Sequence, residues 1–155
     1  MNQRGDFQVP GPGLRQWSEE GRLNALELAN MLGVHADAYT RDPLSLVPAL
    51  QNYVSRLPLA QFEQPDWATL HSDLTSFLAD VLVRRHNAAW QVVDDPHGQL
   101  GYRYVIEAQG LDGNPHRVDP ADVVLTEFRE QPIEITRMLA KAELTLRLSR
   151  TIEDE

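Results

Sequence analysis

The 155-residue chain contains no cysteine. That excludes disulfides, thiolate catalysis, iron–sulfur clusters and Cys-type zinc sites. It has a single lysine, Lys141, beside 13 arginines, and no basic run. The arginine excess reads as the codon bias of a GC-rich genome. With a net charge of −9 and no basic stripe, the chain lacks the phosphate-neutralising surface that nucleic-acid affinity requires. No apolar run reaches the ~18 residues of a bilayer span. The opening stretch MNQRGDFQVPGPG also lacks the apolar segment of a secretory signal. A cytoplasmic protein without nucleic-acid or membrane partners is therefore expected. Catalytic signatures are equally sparse. There is no G-x-S-x-G elbow, and no helix closely follows Gly98 or Gly101, as a phosphate-binding loop would need.

What is present suits one ordinary domain: 42% hydrophobic and 24% charged residues, long enough to bury roughly 70% of the unfolded surface. The charge is unevenly spread. Residues 1–60 carry six acids and five bases, whereas residues 61–155 carry 17 acids and nine bases. We read 1–16 as an extended arm, because Gly5, Pro10, Gly11, Pro12 and Gly13 break any periodicity and only Phe7, Val9 and Leu14 offer docking groups. Residues 17–150 read as a single α+β domain and 151–155 as an acidic tail.

Three N-terminal helices are expected. The first starts at Ser18, a capping residue after Trp17, and stops at Gly33. The second spans 43–57 behind the Asp42-Pro43 pair, with Pro48 either kinking it or marking its true start. The third is the clearest: Trp67, Leu70, Leu74, Phe77, Leu78, Val81 and Leu82 form one stripe at period 3.6. Arg84, Arg85 and His86 suit its negative end, and Asn87 its left-handed cap. At Ala88 the pattern becomes strand-like. The runs 90–93, 102–106 and 116–118, parted by Asp94–Gly98 and Gly110–Pro115, predict a three-stranded antiparallel meander. Asp119-Pro120 opens a short helix, and Pro132 starts a final one packing on the sheet.

Alternation along the middle strand places Tyr102, Tyr104 and Ile106 on one face and Arg103, Val105 and Glu107 on the other. A turn centred on 97–98 pairs Trp90 with Val105. Trp90 then joins the Arg103 face, either stacked beneath the arm or in a patch a partner could use. The histidines do not converge on a metal. His97 and His116 fall at opposite ends of the sheet, roughly 23 Å apart at ~3.3 Å per residue. His71 and His86 lie about 22 Å apart along one helix at ~1.5 Å per residue. Asp94, Asp95 and His97 are the densest local cluster. Turn chemistry accounts for them, and a hydrolase or metal enzyme built there is the weakest of three readings. No catalytic, metal or cofactor residue is therefore expected.

The stretch 65–110 carries Phe77-Leu78-Ala79-Asp80-Val81-Leu82-Val83-Arg84-Arg85-His86, then Ala88-Ala89-Trp90-Gln91-Val92, then a hairpin with Gly98. This resembles small bacterial domains of unknown function, some of which sit beside toxins as immunity-type proteins. The resemblance implies an α+β fold and carries no catalytic motif. Together with the acids Asp119, Asp122, Glu127, Glu130 and Glu134, it leads us to expect a non-enzymatic acidic module that binds a basic protein. Trp90, Arg103, Asp119, Asp122, Glu127 and Glu130 are its expected contact residues. The alternative is an adaptor subunit that docks in a larger assembly through the arm 1–16.

Overall fold

The strongest apolar stripe becomes the axis of the structure, a computed structural model that describes residues 13–149. Helix α4 spans Gln64–His86. Glu63 and Asp66 form a capping box at its start, and Asn87 ends it in the left-handed conformation at φ 54°. Leu74, Phe77, Leu78, Val81 and Leu82 of this helix are fully buried. Removing a side chain such as Phe77 from a core of this kind costs about 3–5 kcal/mol.

Helix α1, Leu14–Met31, packs along α4. It starts four residues before Ser18, with Gly13 as N-cap and the Trp17 N–H donating to the Gly13 carbonyl at 3.0 Å. Leu14 and Trp17 both pack on the core, so burial extends the helix into the expected arm. Phe7, Val9 and the tail 151–155 lie outside the described residues. Gly33 takes φ 82° after the helix, the left-handed stop that glycine supplies most readily. A six-residue helix α2, Ala36–Arg41, follows; no sequence signal announced it. Tertiary bonds hold it. The Tyr39 hydroxyl donates to Asp80 at 2.6 Å, and Arg84 donates to the Tyr39 and Thr40 carbonyls at 2.6 and 2.7 Å. Burial and that bond to Asp80 push the Tyr39 hydroxyl well above its ordinary range. The expected 43–57 helix divides into a 3-10 turn, Pro43–Leu46, and α3, Val47–Ser55. Pro48 lies in the first turn of α3 and so marks its start, where its missing N–H costs nothing.

Strands β1 (Ala89–Asp95), β2 (Gly101–Gln109) and β3 (Pro115–Val118) form the antiparallel meander in the order β1-β2-β3. The register differs from expectation by one residue: Trp90 pairs with Ile106, and Gln91 with Val105. The reason is the connection. β1 runs on to Asp95, which pairs with Gly101, leaving five residues and not a tight turn between the strands. Gly101 closes it at φ 81°. A one-residue slip reverses the face of every side chain, so Trp90 shares the Tyr104–Ile106 face and not the Arg103 face. Helix α5, Pro120–Phe128, is capped by Asp119, which accepts the Ala121 N–H at 2.9 Å. Helix α6 is Ile135–Thr145 and begins three residues after Pro132, whose bond to Gln131 is cis. Gln51 of α3 holds that entry, donating to the Ile133 carbonyl at 3.0 Å and accepting from Ile135 N–H at 2.7 Å. No described helix is long and apolar enough to cross a membrane.

Candidate partner-binding surface

Three of the six expected contact residues meet on the outer face of the sheet. Arg103 Nη1 lies 3.3 Å from Asp119 Oδ2 and 3.4 Å from Asp122 Oδ2. They border an open groove of about 730 Å3 between the sheet, α5 and α6, floored by Val93, Val105, Val123 and Leu144. Burial raises the Asp119 carboxyl above its ordinary value and the Asp122 charge adds to this. The capping N–H groups and the Arg103 guanidinium act in the opposite direction.

The remaining three are elsewhere. Glu127 has no exposed surface at all. It stands one helical turn after the buried Val124, and that phase turns it inward. Its carboxylate accepts the Glu134 N–H at 2.9 Å and two Arg137 N–H groups, at 2.9 and 2.5 Å. Glu127 is thus corrected from a surface contact to an internal clamp on the α5–α6 connection. Glu130 is exposed but engaged: Lys141 donates to it at 2.8 Å and holds its carboxyl below the ordinary value. Arg137 also lies 3.5 Å from Glu130 and 3.6 Å from Glu134. Trp90 is nearly buried, on the face opposite Arg103. Its ring stands perpendicular to that of Trp17, with centroids 5.6 Å apart, and Trp17 in turn stacks on Tyr104 at 4.0 Å.

Asp94, Asp95 and His97 sit at the tip of the first hairpin. The Asp95 carbonyl accepts the Gly98 N–H at 2.9 Å, and its carboxylate approaches so closely that a Cβ on Gly98 would stand 2.4 Å from Oδ2. Among the described residues, no group of three or more His, Asp or Glu is arranged to hold a metal. The histidines serve as struts. His71 bonds the Ala121 carbonyl at 3.0 Å, His86 bonds Glu143 at 3.0 Å, and His116 bonds Asp112 at 2.8 Å.

Sequence reasoning missed a second concavity. A cleft of about 310 Å3 lies between α1 and α4, with Trp17, Glu20 and Asn24 on one side, Thr75 and Ser76 on the other, and Trp90 against it. Asn24 donates to Ser76 Oγ at 3.1 Å and to Asp73 Oδ1 at 3.3 Å. Glu20 accepts only the Gln16 amide, at 3.0 Å. Burial raises the Asp73 carboxyl; the Asn24 bond lowers it, and the Glu27 charge adds to the rise. The chain matches no family model, no curated protein and no solved structure. Its surface chemistry therefore carries the functional reading.

One signal points toward this cleft: Trp17, Glu20 and Asn24 recur at the spacing of a single helical face. The lack of an Arg or Lys three or four residues from Glu20, Glu27 and Asp73 is not specific, since Glu127 shares it. By contrast Glu19 has Arg22, its partner at 2.7 Å.

Proposed function

We propose that the protein is a non-enzymatic, acidic protein-binding module of the immunity or inhibitor type, acting on a basic protein partner. One observation carries this reading. Glu20, Glu27 and Asp73 have no ion pair among the described residues; Glu20 lines a cleft with two tryptophans, Asp73 adjoins it through Asn24, and the Glu27 charge acts on Asp73. Elsewhere the molecule compensates many of its carboxylates internally. Uncompensated carboxylates leave a negative field in solvent, which steers a cationic partner and accelerates encounter, with an effect that falls as salt screens it.

The test is affinity capture on the immobilised protein at low ionic strength, followed by reconstitution of the captured protein in pure form. The expected result is a partner of net positive charge whose complex dissociates with added salt. That complex also weakens when Glu20→Gln, Glu27→Gln and Asp73→Asn are combined. A reconstituted complex indifferent both to salt and to the triple substitution would overturn the reading.

A further inference from the structure

We propose that the α1–α4 cleft is a socket for a single arginine side chain of the partner protein. The inference rests on the module reading above and assigns it a contact point.

Size comes first. At about 310 Å3 the cleft is at the bottom of the ~300–1,000 Å3 range of small-molecule pockets, which suits one long side chain and not a cofactor. The walls come next. The half-buried Trp17 lines the cleft, with the buried Trp90 edge-on to it, and an indole ring is a surface on which a planar guanidinium stacks with both cation–π and apolar contact. Charge is the deciding feature. Glu20 lines the cleft, and Asp73 stands beside it through the shared Asn24 amide. Among the described residues no arginine or lysine lines it, and its histidine, His71, is committed to the Ala121 carbonyl. The hydroxyls of Ser72 and Ser76 provide further acceptors for guanidinium N–H groups. Thr75 Oγ1, in the same wall, is buried with no hydrogen-bond partner among the described residues, and a hydroxyl oxygen can accept a guanidinium N–H.

The rest of the molecule shows what is missing. On the outer face of the sheet, Asp119 and Asp122 hold the guanidinium of Arg103; on the α5–α6 connection, Glu127, Glu130 and Glu134 surround Arg137. In the α1–α4 cleft the carboxylates and the aromatic surface are present, and no described residue supplies the cation.

The test uses the full chain and follows the three indole N–H signals by NMR during titration with N-acetyl-arginine methylamide. Trp67 packs against Phe62 and Phe128, does not line the cleft, and is the internal reference. The expected result is a saturable shift of Trp17 and Trp90 with Trp67 unmoved. The neutral isostere, the citrulline methylamide, should bind at least about fivefold more weakly, as should arginine methylamide to the Glu20→Gln variant. Absence of a saturable shift up to about 50 mM, equal binding of citrulline, or an unaffected Glu20→Gln variant overturns the socket. Shifts of Trp17 that follow protein concentration alone would assign the cleft to a second copy of the chain and overturn it too. If the probe fails while a salt-sensitive partner complex persists, the socket falls and the module reading stands. If the probe binds and no partner complex forms, the module reading falls, and the assignment of the socket to a partner's arginine falls with it.

Discussion

On the α5–α6 side, Glu127, Glu130 and Glu134 share Arg137, Glu130 also takes Lys141, and Asp119 and Asp122 share Arg103. On the α1–α4 side, Glu20, Glu27 and Asp73 have no cation at all among the described residues. Counted along the chain, the acid excess belongs to residues 61–155 and the first 60 residues are nearly neutral. In space the carboxylates of the C-terminal helices are paired, whereas among the described residues Glu20 and Glu27 of α1, Glu63, Asp66 and Asp73 at and along α4, and Asp94 and Asp95 at the hairpin have no ion pair. A carboxylate that has a cation within reach builds the fold. One that has none is left to face the solvent and whatever approaches through it. The difference is one of pairing and not of number.

If the α5–α6 carboxylates are structural, breaking their cation should do most harm. Arg137→Met leaves Glu127 wholly buried with an uncompensated charge and deprives the Glu130 and Pro132 carbonyls of a donor. Uncompensated buried charges of this kind are strongly destabilising, and in a domain of this size the midpoint of thermal unfolding should fall by about 10 °C. A fall under about 3 °C would mean that the clamp is ornamental, and the contrast between the two sides would lose its basis.

Arg103→Gln is a milder test on the same side, because the pair is half exposed and its distances are long. We expect a loss of about 0.5–1 kcal/mol in urea unfolding at neutral pH. The sign with pH follows from Asp119, whose carboxyl burial already raises and which the guanidinium opposes. Removing Arg103 raises it further, so the penalty applies only while Asp119 is ionised. It should vanish as pH falls through the folded pKa of Asp119. A penalty that persists in acid would point to lost packing of the arginine stem and not to charge.

Much of this architecture was legible beforehand, and the places where it was not share a cause. The α4 stripe, the Asn87 cap and the Asp119-Pro120 opening are local signals that tertiary structure had no reason to override. Helix α2 was illegible because six residues cannot sustain a helix alone; Tyr39 and Arg84 hold it through Asp80, 41 residues away from Tyr39 in sequence. The register slipped because hairpin length, and not strand pattern, decides which face Trp90 takes. Glu127 passed for a surface acid because its cation lies ten residues away across a loop, beyond any helical spacing. Glu20, Glu27 and Asp73 look the same in sequence, with no cation at helical spacing, and only the fold shows that no distant cation reaches them among the described residues.

The smallest effect should have the opposite sign and come from the other side. Asp73→Asn keeps an acceptor for the Asn24 amide while removing a carboxylate that burial and Glu27 both disfavour in its charged form. The substitution should therefore stabilise the protein at neutral pH, by less than about 1 kcal/mol given its partial exposure. The folded pKa of Asp73 lies above the unfolded one, so at high pH the native state carries a charge it holds poorly, and protonation relieves it. The gain should shrink as pH falls through that folded value toward the ordinary aspartate range, below which wild type and variant become equal. Added salt should shrink it too, because part of it is repulsion from Glu27 across solvent. Urea unfolding of both proteins across that pH range and at two ionic strengths measures all three. If Asp73→Asn destabilises at neutral pH, Asp73 is a structural acid like those around Arg137, and the two sides of the molecule treat their carboxylates alike.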